Sequence, residues 1–133
     1  MKWSLPLKTW WDSGSVIAGG SDHMVKLDSV DSTNPWNPWL AMWTTLTRQT
    51  EHGGVVHRRE RLTREQAIRL YTINGAWLTF DENKKGSLEP GKYADLILID
   101  RDILKCPEDD VRTTKVLLTM VGGKVVWDAA QNP

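Results

Sequence analysis

Asp22 closes the run Val16-Ile17-Ala18-Gly19-Gly20-Ser21-Asp22 and is the side chain best placed to do chemistry. A carboxylate at the carboxyl end of a short apolar strand stands where α/β barrels and open α/β sheets gather their reactive groups. Such a group can ligate a divalent metal, or accept a proton from bound water and return it to a leaving group. The glycines before it would let a substrate or an ion approach the backbone. The same residue also fits the plainer role of a turn or helix cap, and its position alone leaves both roles open. The three histidines, His23, His52 and His57, lack the spacing of a ligand set. His23 follows Asp22 directly, so it stands with Trp36, in the next loop, as a candidate for substrate contact.

Several elements must hold this acid in place. Leu7, Trp10 and Trp11 fall at i, i+3, i+4 on one helical face, with Ser4 as cap, Pro6 in the early turn and Gly14 as the stop. Val16 to Gly20 is apolar on both faces and predicts a strand buried on both, as in a parallel sheet. Breakers fill residues 23–38, and a helix starting near Pro38 carries Leu40, Trp43, Leu46 and Thr47. Gly53-Gly54 ends that helix or the loop after it, and His57-Arg58-Arg59-Glu60-Arg61 reads as a solvated loop. Thr63 with Gln66 three residues on is a capping box. Ala67, Leu70, Tyr71 and Asn74 continue with helical spacing, Gly75 weakens the helix, and a further turn extends toward Phe80. From residue 81 the period changes. Turns at Lys84-Lys85-Gly86 and Glu89-Pro90-Gly91-Lys92 precede a strand at 94–100 and an extended segment at 111–121. Gly122-Gly123 then turns the chain into Lys124-Val125-Val126-Trp127.

The chain has 133 residues, enough for one domain. Its 17 basic and 17 acidic residues cancel, which removes the electrostatic case for nucleic acid or an acidic membrane surface. No apolar stretch approaches the roughly 18–20 residues needed to span a bilayer. A single cysteine, Cys106, excludes an internal disulfide framework and makes the cytoplasm the expected compartment. Of the eight tryptophans, Trp3, Trp10, Trp11, Trp36, Trp39 and Trp43 crowd the first third of the chain, and a core is the first place to expect them.

Read in order, the signals are Gly-Ser-Asp after an apolar strand, a capped Leu62-Thr63-Arg64-Glu65-Gln66-Ala67 helix and Thr72-Ile73-Asn74-Gly75-Ala76. Gly86-Ser87-Leu88-Glu89-Pro90-Gly91-Lys92-Tyr93-Ala94-Asp95-Leu96 and the Gly122-Gly123 hairpin follow. This order resembles the C-terminal third of the amidohydrolase superfamily, in particular the amidohydrolase-3 group that includes proteins like N-substituted formamide deformylase. The resemblance implies an α/β fold, the C-terminal part of a (β/α)8 TIM barrel with its last strand and helices over residues 1–80. Part of a small β-sandwich would follow over residues 81–133. It implies a divalent metal, zinc being the expected ion, and a small amide-type substrate. It makes Asp22 both metal ligand and catalytic proton shuttle, while Asp95 is structural.

In that family the remaining ligands, among them a His-x-His, lie upstream of what this chain contains, and no His-x-His occurs here. One carboxylate cannot fill the three or four positions of a metal site, so the chain alone is expected neither to hold metal tightly nor to hydrolyse substrate. An isolated barrel strand with open edges also predicts self-association. The alternative is a non-catalytic α+β interaction or oligomerisation module, with Asp22 as a cap and tryptophans as anchors.

Overall fold

In the computed structural model, described over residues 5–20, 37–50 and 53–131, four short helices precede a three-stranded sheet. Helix α1, Leu7–Asp12, starts directly after Pro6. It ends where Gly14 adopts φ +82. The Gly14 amide then donates to Trp11 O (3.0 Å) and the Ser15 amide to Trp10 O (3.2 Å), a paired closure that satisfies the last carbonyls. Ser4, its expected cap, lies outside the described residues.

Helix α2, Pro38–Thr47, has Pro38 at its first turn, and the Asn37 side chain accepts from the Trp39 amide (2.9 Å). Trp39, Met42, Trp43, Leu46 and Thr47 form its buried face at i, i+3, i+4, i+7, i+8. The stripe is thus set slightly differently from the sequence expectation: Leu40 is only half-buried, while Trp39 and Met42 are core. Arg48, left-handed at φ 59, ends the helix.

Helix α3, Arg64–Leu70, opens on the expected capping box, with Gln66 N donating to Thr63 Oγ1 (3.2 Å) and Thr63 N to Gln66 Oε1 (2.9 Å). Helix α4 spans Ile73–Leu78. The break falls at Thr72 (φ −130, ψ −104), not at Gly75, which lies within α4. The helix stops short of Phe80, which is 89% exposed at φ 59.

Strands β1 (Leu96–Ile99), β2 (Val116–Val121) and β3 (Lys124–Asp128) pair antiparallel in the order β1-β2-β3. Leu96 lies opposite Met120, and Leu98 opposite Leu118. Gly122 and Gly123, at φ 56 and 79, make the two-residue hairpin with the paired positive φ values that match strand twist. The Asp95 carboxylate accepts from the Gly122 amide (2.7 Å), which ties the hairpin to the start of β1. Ile97, Leu98, Val121, Val125 and Val126 all remain exposed, so the sheet presents apolar side chains to solvent.

Two sequence expectations are corrected. Residues 16–20 form no strand: Val16 is exposed, Ile17 to Gly19 are half-buried, and no ladder flanks them among the described residues. A strand apolar on both faces needs neighbouring strands, and the described residues place helices beside it instead. Residues 108–113, expected partly extended, form a 3₁₀ helix, Glu108–Thr113. Its acidic first turn suits a helix start. Tertiary contacts complete the override: Val111, 1% exposed, packs into the core with Trp39, Met42, Trp43, Leu46 and Ala67. Trp43 Nε1 donates to Asp109 (3.0 Å), and the Arg112 guanidinium stands 5.0 Å from the Trp43 ring centre. Trp39 and Trp43 are core as expected, whereas Trp10, Trp77 and Trp127 are exposed. No described helix is long and apolar enough to cross a membrane.

Candidate functional site

Asp22, His23 and Trp36, on which sequence reasoning set the site, lie outside the described residues. The backbone that delivers the chain to them is described through Gly20. The Gly19 amide donates to Leu70 O at the end of α3 (2.9 Å). Asn74 Nδ2, from the first turn of α4, donates to Ile17 O (2.8 Å). Gly19 is also seated on the ring of Tyr71, so closely that a Cβ would fall 2.4 Å from Tyr71 Cζ. The need for glycine here is therefore met inside the fold, by a ring rather than by a visiting substrate. Burial pushes the Tyr71 hydroxyl pKa up, further from ordinary pH.

The other perturbed groups serve structure. Glu60, expected in a solvated loop, is buried at 6% exposure. Its carboxylate accepts from Thr9 N (2.9 Å) and Thr9 Oγ1 (2.8 Å). The Thr9 amide above all holds its pKa below the usual carboxylate range, against the opposing effect of burial. Buried Arg48 is pulled down by desolvation and supported by the Glu60 charge, while its Nε donates to Val56 O (3.1 Å). This set ties α1 to the far end of α2. Asp100 is held at about 2 by the Arg101 guanidinium first and the Lys115 amide second. One carboxylate oxygen of Glu82 is buried with no hydrogen-bond partner among the described residues.

An open groove of about 690 Å³ runs between α4 and the sheet, lined by Tyr71, Gly75, Thr79, Lys85, Leu96 and Met120 among others. Its charged groups are already engaged: Lys85 pairs with Asp81 (3.1 Å), and Asp95 holds the hairpin. It offers no nucleophile and base in contact. Among the described residues no three His, Cys, Asp or Glu side chains converge on a point that could hold a metal. These residues on their own therefore do not fit a metal ion, and a carboxylate at position 22 would supply one ligand of such a set.

Sequence reasoning missed the contacts of Gly19, Tyr71 and Asn74. One signal was available, an asparagine continuing the apolar stripe of a helix, where a buried polar group must find a partner.

A family model described as amidohydrolase matches residues 1–127. The chain belongs to the amidohydrolase family. Among other amidohydrolases and their relatives, it is 33% identical over 123 residues to N-substituted formamide deformylase from Arthrobacter pascens, covering 92% of this chain and 21% of that protein. It is 40% identical over 131 residues to 5-methylthioadenosine/S-adenosylhomocysteine deaminase from Teredinibacter turnerae, covering 96% of this chain and 27% of that protein. The crystal structure of an amidohydrolase from Thermotoga maritima matches in fold with a TM-score of 0.61 at 20% identity, over 89% of this chain and 24% of that one. This amidohydrolase chain thus spans between 21% and 27% of the length of these relatives.

Proposed function

We propose that these residues are the C-terminal part of a metal-dependent hydrolase that cleaves non-peptide carbon–nitrogen bonds, such as those of amides or formamides. Asp22 is its metal ligand and proton shuttle. Residues 1–80 complete a (β/α)8 barrel and residues 81–133 contribute to a β-sandwich. The remaining ligands come from residues beyond this chain, zinc is the expected ion, and His23 and Trp36 line the substrate site. The observation that carries the reading is the family match over residues 1–127, joined by the deformylase relative that aligns over 92% of the chain.

Asp22 would be one ligand of a divalent metal completed by residues beyond this chain, and that metal would supply a water whose pKa is about 7. Asp22 then has two tasks that suit an ionised carboxylate: it accepts a proton on one oxygen and returns it to the departing amine nitrogen. Asp22→Asn in the intact gene product removes the acceptor and weakens one ligand. Turnover of an N-substituted formamide should fall at least about a thousandfold, within the range seen when a single catalytic group is lost, with the thermal midpoint unchanged. Near-normal turnover in that variant refutes the assignment.

A second reading, a non-catalytic module that associates through its surface, draws support from the exposed apolar sheet residues. Under it, Asp22→Asn is silent in every assay.

A further inference from the structure

An asparagine side chain can be attacked by the backbone nitrogen of the residue that follows it. Glycine in that place reacts fastest, because no Cβ obstructs the approach. The chain has five asparagines, and three of them, Asn34, Asn37 and Asn132, precede prolines, whose nitrogen carries no hydrogen to give up. Asn83 precedes the bulkier Lys84, and Asn74 alone precedes a glycine, Gly75. Both residues of this pair lie in α4, where the local packing does not call for a glycine. Gly75 is not among the residues with positive φ, and a Cβ on it would meet nothing within 4 Å. Inside a helix it is less favourable than alanine.

The fold holds this reactive pair still. Asn74 is buried at 7% exposure, and its Nδ2 donates to Ile17 O at 2.8 Å. That bond pins the side chain that carries Cγ, and helical ψ keeps the Gly75 nitrogen out of line with it. The same turn of α4 is also packed by Gly86, where an added Cβ would lie 2.9 Å from Ile73 Cα. The Ile17 segment is held in turn by the Gly19 amide, which donates to Leu70 O at 2.9 Å, and by the seat of Gly19 on the Tyr71 ring. We propose that Asn74-Gly75 is a self-modification site kept closed by the Ile17 contact, so that a chain that once releases residues 17–19 is marked irreversibly.

In the released state the Gly75 nitrogen attacks Asn74 Cγ. A C–N bond forms, the Cγ–Nδ2 bond breaks, and ammonia leaves with the hydrogen of the Gly75 amide. Water, the sole co-reactant, then opens the cyclic imide. Cleavage at Cγ gives aspartate, and cleavage at the main-chain carbonyl gives isoaspartate. Neither product restores the contact. Aspartate turns a charged acceptor toward Ile17 O in a buried place. Isoaspartate adds a carbon to the main chain and spoils the spacing of the α4 hydrogen-bond ladder. The mark is one-way, because reclosure needs a donor that has left as ammonia.

The test incubates the chain itself at mildly alkaline pH and follows conversion at Asn74 by mass-spectrometric peptide mapping, with isoaspartate separated from aspartate by retention. In denaturing urea Asn74 should convert, and in buffer it should convert at least about tenfold more slowly, because modification then waits on a local opening. Gly75→Ala should slow conversion in urea severalfold. Gly19→Ala drives a Cβ into the Tyr71 ring and should speed conversion in buffer by about tenfold, with faster hydrogen exchange at the residue 19 amide. Thr63→Ala, which removes the capping box of α3 and leaves the Ile17–Asn74 pair untouched, controls for general destabilisation. If Gly19→Ala does not fold, wild type in urea below its unfolding transition replaces it, and conversion should rise before tryptophan fluorescence reports unfolding. Conversion in buffer as fast as in urea, or none in either, overturns the proposal. So does a Gly19→Ala rate no higher than that of Thr63→Ala, or a wild-type rate that only tracks global unfolding.

Discussion

Adding one methyl group at Gly86 should destabilise the chain far more than adding the same methyl at Gly91. Both glycines adopt left-handed backbone, at φ +89 and +92. An L-residue there costs about 1–2 kcal/mol at either position. Their surroundings differ. A Cβ at Gly86 would lie 2.7 Å from Ala76 Cβ and 2.9 Å from Ile73 Cα, whereas one at Gly91 would meet nothing within 4 Å. The atoms facing Gly86 belong to the backbone and to a side chain with no rotamers, so α4 as a whole must move away. Forcing extra volume into a packed contact costs about 1–3 kcal/mol. Gly86→Ala should therefore lose about 2–5 kcal/mol and Gly91→Ala about 1–2 kcal/mol, against a total stability of about 5–15 kcal/mol for an ordinary domain. Urea unfolding followed by tryptophan fluorescence reads this directly, because Trp39 and Trp43 lie in the core. Equal losses in the two variants, within about 0.5 kcal/mol, would refute the packing argument even if both were destabilised.

Asp100 should give the chain an acid-sensitive component. Its folded pKa, about 2, is depressed from 3.8, so its contribution is present above pH 4 and is lost as pH falls from 4 toward 2. Urea midpoints of the wild type should decline over that window more steeply than those of Asp100→Asn; parallel declines would show that the Arg101 contact does not carry the effect. The exposed apolar sheet predicts self-association of the isolated chain, measurable by light scattering. Val126→Lys, at a side chain 61% exposed, should shift the population toward monomer, and a monodisperse wild-type monomer would remove the idea.

What could be read from sequence was what short-range chemistry decides. Thr63 and Gln66 announce a helix start because each side chain satisfies a backbone amide a few residues away. Gly122-Gly123 announces a hairpin because only unsubstituted residues adopt both positive φ values cheaply. The misreadings share a different origin. Val16 to Gly20 has the composition of a buried strand, but composition does not supply neighbours, and Leu70 and Asn74 take its hydrogen bonds. Val111 lies in a stretch rich in Val and Thr, yet the pocket under α2 requires it from a 3₁₀ helix. Glu60 sits among arginines in sequence, and only the fold brings Thr9 to it. For the candidate site, Asp22 could be singled out from its run and its family resemblance. The contacts of the segment before it could not, because glycines ahead of an acid read as room for a substrate, and at Gly19 the Tyr71 ring fills that room.

The core that Val111 completes also bears on how this stretch can be inherited. Trp43 belongs to α2, but the groups that enclose it, Val111 together with Asp109 and Arg112, come from the segment between β1 and β2. Arg64 at the start of α3 likewise donates to Cys106 O (2.6 Å) across the same divide. A recombination crossover near residue 80 would pair a tryptophan from one parent with a plug from another. Most such chimaeras would carry either a void or a clash where Val111 belongs. Residues 38–70 and 103–114 are thus bound to travel together through gene shuffling, however cleanly the chain changes character between them.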